Sequence, residues 1–404
     1  MRIQIVATKF ILIFTSLLCC VRMQVYSQID QLPTTFLINP AVLSANKLKI
    51  NEADKELGHI LSKVILLAEE AMDNGPYSVT NKEKTPPSGD KRDYMSVGPY
   101  WWPDSTKSNG LPYIRRDGIV NPERYKIQDA EFFKSVCNDV FLLSLSEYFT
   151  GNKKYADKAV DILHTWFLDE KTRMNPHLNY GQSIPGRTEG RGIGLIDTRS
   201  LVYLIDGIQI LKTTGHLPKD TYEGIQIWFK KFLNWMITSP IGLDEADEHN
   251  NHGTYYDVQT VAMALFTDQK ELAANILRSQ TQKRIENQFA EDGSQPHELA
   301  RTLSWNYSVM NLMGFFELAL LAENVNIDLW NYMTPNGKSI KKGFLWLLPY
   351  AEGLPWQHTQ IKPIDLSSIK KLSQIASLKY PDIKIKQVET NSERDYLFEL
   401  VYLN

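Results

Sequence analysis

Residues 128–167 read QDAEFFKSVCNDVFLLSLSEYFTGNKKYADKAVDILHTWF. Within them Phe132, Phe133, Val136, Cys137, Val140, Leu143 and Leu145 return at helical spacing and make one apolar face. Gly151-Asn152 closes that pattern, as glycine commonly does just past a helix end. Tyr155, Ala159, Ile162, Leu163, Trp166 and Phe167 start a second helix at once. Two helices joined by so short a turn lie antiparallel, and this pairing sets the expectation for the whole chain.

Upstream of the pair, Asn51 to Ala71 carries Leu57, Ile60, Leu61, Val64, Leu67, Ala68 and Ala71 at the same spacing. Downstream, helical patterns occupy residues 198–213, 220–238, 254–267, 269–288, 297–322, 337–348 and 366–378. Strand signals are confined to the end, where Ile383 to Val388 and Leu397 to Val401 are expected to pair. No alternating β-α rhythm appears, which argues against a Rossmann or TIM architecture. No fixed-period repeat points to a solenoid. The expected fold is all-α, an incomplete (α/α) toroid.

Residues 74–126 and 171–197 break the helical pattern. The first stretch holds Tyr94, Tyr100, Trp101, Trp102 and Tyr113, too aromatic for a linker. The second is Gly-rich and carries Gln182, Arg187 and Arg191. Both are expected to fold against the helices as long loops that build a cleft.

With 404 residues, 43% of them hydrophobic, the chain has enough apolar surface for a large core. Its formal charge of −3 argues against a general nucleic-acid binder, which is usually basic. A polyanionic ligand stays open, because a cleft can be locally positive on an acidic protein. Residues 1–27 read as an export signal. Arg2 and Lys9 precede the apolar run Phe10 to Cys20, too short for a membrane span, and Val25 and Ser27 satisfy the small-residue cleavage rule. The mature chain is expected to begin at Gln28, to be periplasmic, and to form a single catalytic domain over residues 28–404. Cys19 and Cys20 raise a lipid-anchored alternative, though neither follows the usual small residue. Cys137 then remains as a buried small hydrophobe, with no disulfide framework and no Cys-based metal site.

Two stretches carry chemistry. In Glu248-His249-Asn250-Asn251-His252-Gly253, the plain reading is a turn with an Asx cap opening a helix near Gly253. The functional reading sets an amide and an imidazole at the positive end of that helix, where an anionic group is well received. Both hold together if Asn250 caps while Asn251 and His252 face the cleft. A metal on His249 and His252 is the weaker reading, since the His-Glu-x-x-His order is missing and no third ligand can be placed.

The second stretch is Asp292-Gly293-Ser294-Gln295-Pro296-His297-Glu298-Leu299-Ala300-Arg301, running on through Trp305-Asn306-Tyr307. A turn followed by proline marks a helix start at a loop-lined rim. Arg301 and Tyr307 are six apart, which on a straight helix leaves them about 120° out of line. They converge only if the helix is irregular there. Otherwise they read as a solvated arginine and a core tyrosine.

Tyr100-Trp101-Trp102-Pro103 divides evenly between core packing and a sugar-stacking platform, with Trp101 and Trp102 the candidates. Arg187, Arg191 and Arg199 are either surface charges or carboxylate-binding forks, two of them in the Gly-rich loop. The run Asp244, Glu245, Asp247 and Glu248 reads as a solvated face, and yields no convincing acid/base pair for glycoside hydrolysis.

In combination these motifs resemble the alginate lyase superfamily of polysaccharide lyases, whose helical toroid carries an Asn-Asn-His motif and a later Arg and Tyr. The matching residues are Asn250-Asn251-His252, the run from Asp292 to Thr302, and Tyr307. Tyr100-Trp101-Trp102-Pro103-Asp104 and Gly190-Arg191-Gly192-Ile193-Gly194 look like polysaccharide lyase family 38. The likeness spans most of residues 90 to 320.

The resemblance implies β-elimination on a uronic-acid polymer such as alginate, with no nucleotide, metal or redox cofactor. Asn251 and Arg301 would hold the carboxylate with His252 beside them, stabilising an enolate-like intermediate. Tyr307 would protonate the departing O4. In syn elimination, as for mannuronate, Tyr307 would also be the base. In anti elimination, as for guluronate, His252 is the better base. A free phenol has a pKa of about 10 against about 6.5 for imidazole. Tyr307 therefore needs a cation beside it to act as base, and Arg301 is the candidate. Apart from the resemblance, the stacking capacity of Trp101 and Trp102 and the loop composition around Gln182, Arg187 and Arg191 make these residues the expected contacts to the acidic polysaccharide. Competing readings are a lyase for glucuronan or a glycosaminoglycan, a toroidal glycoside hydrolase, and a non-catalytic periplasmic glycan-binding protein.

Overall fold

Asn39 opens the first helix, α1 (Pro40–Asn51), by accepting a hydrogen bond from the Ala41 N–H, with proline at the first helical position. Asp54 caps α2 (Lys55–Met72) in the same way, and Leu57, Ile60, Val64, Ala68 and Ala71 bury its apolar stripe. These helices belong to a computed structural model that describes residues 32–386, 388 and 395–402. The expected export segment and its cleavage point lie outside the described residues.

The helix pair expected at residues 128–167 is present. Helix α3 (Asp129–Thr150) ends at Gly151, whose φ of 68° is left-handed and suits glycine. Asn152 then caps α4 (Lys153–Phe167). There follow α5 (Leu201–Thr213), α6 (Lys219–Thr238), α7 (Pro240–Ala246) and α8 (Asn251–Phe266). Helix α9 (Lys270–Ile276) passes through a π-helical turn, Leu277–Thr281, into α10 (Gln282–Gln288). The remaining helices are α11 (Pro296–Leu299), α12 (Ser304–Glu323), α13 (Ile340–Ala351), α14 (Ser367–Lys379) and α15 (Tyr396–Tyr402).

Helices α3, α5, α8 and α12 form an inner row, α3 against α5, α5 against α8 and α8 against α12. Each is buried over most of its circumference, as expected of helices that neighbours cover on all sides. An outer row covers them: α2 and α4 on α3, α6 and α9 on α8, α13 and α14 on α12. This is the two-layered arrangement of an (α/α) toroid. Among the described residues no helix is long and apolar enough to cross a membrane.

The two irregular stretches carry the only strands among the described residues. Strand β1 (Met95–Val97) pairs in parallel with β4 (Tyr180–Ser183), joining one loop to the other. Strands β2 (Trp101–Trp102) and β3 (Ile114–Arg115) form an antiparallel pair within the first loop. A buried ion pair anchors that loop on the helices. Lys82 Nζ lies 2.8 Å from Asp129 of α3, and Asp129 also accepts the Met95 N–H at 2.9 Å. Removing one partner of such a pair costs about 3–5 kcal/mol.

Three sequence expectations need correction. The C-terminal strand pair does not form: Leu397 to Val401 lie in α15, and Ile383 to Lys386 have no regular structure. Leu397, Leu400 and Val401 also fit helical spacing, and α15 buries Leu400 and Val401 as it packs on α1 and α2. The helix expected at 297–322 is broken at residues 300–303, between α11 and α12. Helix α1 was missed altogether, because its pattern is only weakly amphipathic and buries just Leu43 and Asn46.

Candidate active site

The turn before α8 is built by Arg284. Its guanidinium pairs with Asp257 inside the protein, Nε lying 2.8 Å from Oδ2. Its other nitrogens donate to the carbonyls of Glu248 at 2.7 Å and Ala246 at 2.8 Å. Gly253 makes this approach possible, since a Cβ there would stand 2.0 Å from the Glu248 carbonyl and 2.1 Å from Arg284 Nη1. Asn250 caps α8 by accepting the His252 N–H at 2.9 Å. The chain therefore delivers Asn251 and His252 on the first turn of a rigid helix.

Asn251 is fully buried, and Glu298 of α11 holds it. The carboxylate accepts the Asn251 backbone N–H at 2.6 Å and a shared hydrogen bond from the side-chain amide, Nδ2 lying 3.0 and 2.9 Å from its two oxygens. His252 Nδ1 lies 2.9 Å from Oε1 of Glu245, a buried residue of α7. That contact leaves Nε2 for the cleft. Burial raises the pKa of Glu245, while His252 pulls it back down. Burial likewise raises that of Glu298, and the Asn251 hydrogen bonds oppose it.

Arg301 and Tyr307 do converge, and the break between α11 and α12 is the reason. Arg301 lies in the break, outside both helices, so the 120° separation of a continuous helix does not apply. Its guanidinium stands 3.8 Å from the centre of the Tyr307 ring. Asp117, reaching in from the first loop, takes Arg301 Nη2 at 2.8 Å and Nε at 3.2 Å, and the Thr302 hydroxyl at 2.9 Å. Burial works against the Asp117 carboxylate, yet Arg301 and Thr302 hold its pKa below the usual range. Tyr307 shares a hydrogen bond of 2.7 Å with the Tyr100 hydroxyl. Burial pushes the Tyr307 phenol well above its ordinary pKa, Tyr100 adds to the rise, and Arg301 opposes without prevailing. In this state Tyr307 keeps its proton.

One polar cavity of about 470 Å³ collects Asn251, His252, Arg301 and Tyr307 together with Trp101, Gln182 and Arg191. Arg187 does not line it but stands 5.2 Å from the Trp101 ring, while Arg191 lies 5.9 Å from that ring. Trp102 is turned elsewhere, its indole N–H donating to the Ile119 carbonyl with Arg116 over its ring. Gln182 spends its side chain inside the protein, on Asp197 at 2.8 Å and Arg191 at 3.0 Å. His249 packs edge-on against His297, ring centres 4.8 Å apart, and among the described residues no three potential metal ligands cluster.

Sequence reading missed Tyr100, Asp117, Glu245 and Glu298 as site residues. Glu298 stood in the quoted motif three residues before Arg301, and Tyr100 next to Trp101. Glu245 stands in a run of acidic residues that reads as a solvated face. Asp117 offered no signal, because its partner Arg301 is 184 residues away.

Residues 78–356 match the family model described as alginate lyase. The crystal structure of an alginate lyase from Bacteroides ovatus is 36% identical, covering 92% of this chain and 99% of that one, with a TM-score of 0.88. Alginate lyase A1-III from Sphingomonas species A1 is 14% identical over 93% of this chain and 99% of its own, with a TM-score of 0.58. A histidine variant of alginate lyase A1-III complexed with a tetrasaccharide is 15% identical, covering 93% and 98%, with a TM-score of 0.60. At those lower identities the likeness is one of fold, an α/α toroid. No curated protein matches the chain.

Proposed function

The chain belongs to the alginate lyase family of polysaccharide lyases, and on that premise we propose that it cleaves alginate by β-elimination, with His252 as base and Tyr307 as acid. One observation carries this reading: an oriented imidazole, a protonated phenol and a guanidinium, drawn from α8, α12 and the break before α12, share a single polar cavity.

The steps follow from the chemistry of each group. Arg301 has Nε and Nη2 committed to Asp117, and Nη1 makes no hydrogen bond among the described residues. Nη1 is the donor for the substrate carboxylate. Asn251 joins it by turning its amide away from Glu298. Neutralising the carboxylate acidifies the C5 proton, which passes to Nε2 of His252. The electron pair left on C5 spreads over the carboxylate as an enolate. It then forms the C4–C5 double bond and expels O4, which takes the phenolic proton of Tyr307. The proton on His252 goes to solvent and Tyr307 regains one, so the site returns to its starting state.

An acid and a base on separate residues suit anti elimination, as at guluronate. The high pKa of Tyr307 supports the acid role over the base role. The test is ultraviolet absorbance during incubation with polymannuronate, polyguluronate and glucuronan separately, since only elimination leaves the conjugated double bond. Rising absorbance with polyguluronate is expected. Flat traces with new reducing ends would make the protein a hydrolase, and flat traces without them a binding protein. We further propose that the protein acts in the periplasm after export, which fits the leader-like residues 1–27.

A further inference from the structure

Five arginines line the cavity: Arg115, Arg124, Arg191, Arg199 and Arg301. Three are matched by carboxylates, Arg115 and Arg301 by Asp117 and Arg124 by Glu131. Arg191 and Arg199 form no salt bridge among the described residues. Arg191 is partly buried, and its hydrogen bonds go to the neutral acceptors of Gln182, the carbonyl and Oε1, each at 3.0 Å. Arg199 is exposed and bonds only the Ile196 carbonyl, at 3.1 Å. Asp197 attracts Arg191 but spends its oxygens on Tyr94, Ser96 and Gln182. Asp197, Glu245 and Glu248 attract Arg191, yet none of them makes a salt bridge with it, so this partly buried guanidinium keeps its charge for an anion entering the cavity.

The surroundings of Arg191 add a second, independent sign. Gln182 has a φ of 46°, a left-handed conformation that a non-glycine residue adopts only when its contacts enforce it. Those contacts are the Arg191 and Asp197 bonds and a backbone N–H on Ser96 at 2.8 Å. On the other side Gly98 leaves room: a Cβ there would stand 3.0 Å from Arg191 Nη2 and 2.7 Å from the Trp101 ring. Strain on one side and an empty Cβ position on the other hold one guanidinium at the cavity wall.

We propose that Arg191 and Arg199 bind the carboxylate of the sugar next to the one being cleaved, so that the cleft reads two consecutive uronates. This rests on the lyase reading, in which Arg301 takes the carboxylate at the bond that breaks. Gln182 is then a positioning residue that fixes Arg191 and does not itself touch the substrate.

The test compares kcat/KM of the wild type, Arg191→Gln and Arg199→Gln on mannuronate and guluronate tetrasaccharides, and on counterparts in which the carboxyl of the sugar adjoining the one that loses its C5 proton is reduced to an alcohol, the carboxyl bound by Arg301 being left intact. Each variant is expected to lose about 10- to 100-fold on the full substrates, the effect of one charge-assisted hydrogen bond. On the reduced counterparts the variants should match the wild type within about twofold, because the missing partner leaves nothing more to lose. Equal losses on both substrate sets, or none on either, overturn the proposal. Arg199→Gln keeps the test valid if Arg191→Gln fails to fold, since Arg199 is exposed. Calorimetric binding of the same sugars to Tyr307→Phe separates the two claims. Carboxylate-dependent binding through Arg191 and Arg199 without wild-type cleavage keeps the subsite and sinks the lyase reading. Neither binding nor cleavage sinks both.

Discussion

Glu245 and His252 meet across two helices, with Oε1 2.9 Å from Nδ1, while Glu245 Oε2 is buried with no hydrogen-bond partner. The carboxylate's one side-chain hydrogen bond among the described residues therefore holds the ring and favours a proton on Nδ1. A neutral imidazole so held has its lone pair on Nε2, toward the cleft. Glu245→Gln keeps the shape and removes the preference for that tautomer. We expect kcat to fall about 10- to 100-fold with KM nearly unchanged, since a misoriented base forfeits part of its contribution. Ring ¹⁵N resonances of His252 should move from one tautomer toward a mixture. An unchanged spectrum with full activity would reduce Glu245 to a packing residue.

Tyr307 and Tyr100 share one hydrogen bond but have different expected weights. Tyr307→Phe removes the only phenolic proton assigned to the leaving oxygen, and turnover should drop about 10²- to 10⁴-fold. Far-ultraviolet circular dichroism should be unchanged. Tyr100→Phe leaves that proton in place and removes only a partner, so a loss of about tenfold or less is expected. A larger effect for Tyr100 than for Tyr307 would reverse the assignment of the acid.

The helical architecture was readable because core-facing residues such as Phe133, Val136 and Val140 must recur at helical spacing wherever they are buried. Asn250 was readable as a cap because its side chain bonds two residues along its own chain. What escaped was whatever depends on distance in space. The Arg301–Tyr307 contact requires the break at residues 300–303. Ser304 and Trp305 at that break are held by the segment around Thr359 and Gln360, about 55 residues away, which no local pattern announces. The strand assigned to Leu397–Val401 failed for the same reason: a short apolar run fits either period until its packing partner is known.

Asp117 joins the first loop to the break before α12, and its charge is what does so. Arg301, Arg115 and the Thr302 hydroxyl all donate to it. Asp117→Asn keeps the size but loses the charge and one acceptor. We expect kcat/KM to fall about 10-fold or more, with Arg301 freed to take several positions. The folded pKa is depressed, so the stabilisation from this pair is present above the unfolded value of about 4 and is lost as pH falls through the folded value. Acid unfolding followed by circular dichroism should accordingly begin at higher pH in Asp117→Asn, which lacks this stabilisation throughout, than in the wild type. Coincident acid-unfolding curves would show that Asp117 does not contribute it.

Glu317 gives the fold itself a pH dependence of opposite sign. It is a buried residue of α12 whose Oε1 accepts the Tyr203 hydroxyl at 2.8 Å, while Oε2 is buried without a partner. Burial raises its pKa to about 7, against the opposing effects of Tyr203 and Arg199. A carboxyl whose folded pKa is raised stabilises the fold fully below its unfolded pKa, and that contribution is lost as pH rises through the folded value. Stability from Glu317 should thus decline between about pH 4 and pH 8, by about 3–4 kcal/mol in total. Glu317→Gln keeps an acceptor for Tyr203 and cannot ionise. Urea denaturation at pH 5 and pH 8 should show a smaller drop for the variant than for the wild type, the gain lying at pH 8. Equal drops in the two proteins would mean that Glu317 stays charged at both pH values, and that the buried end of α12 admits enough water to solvate it.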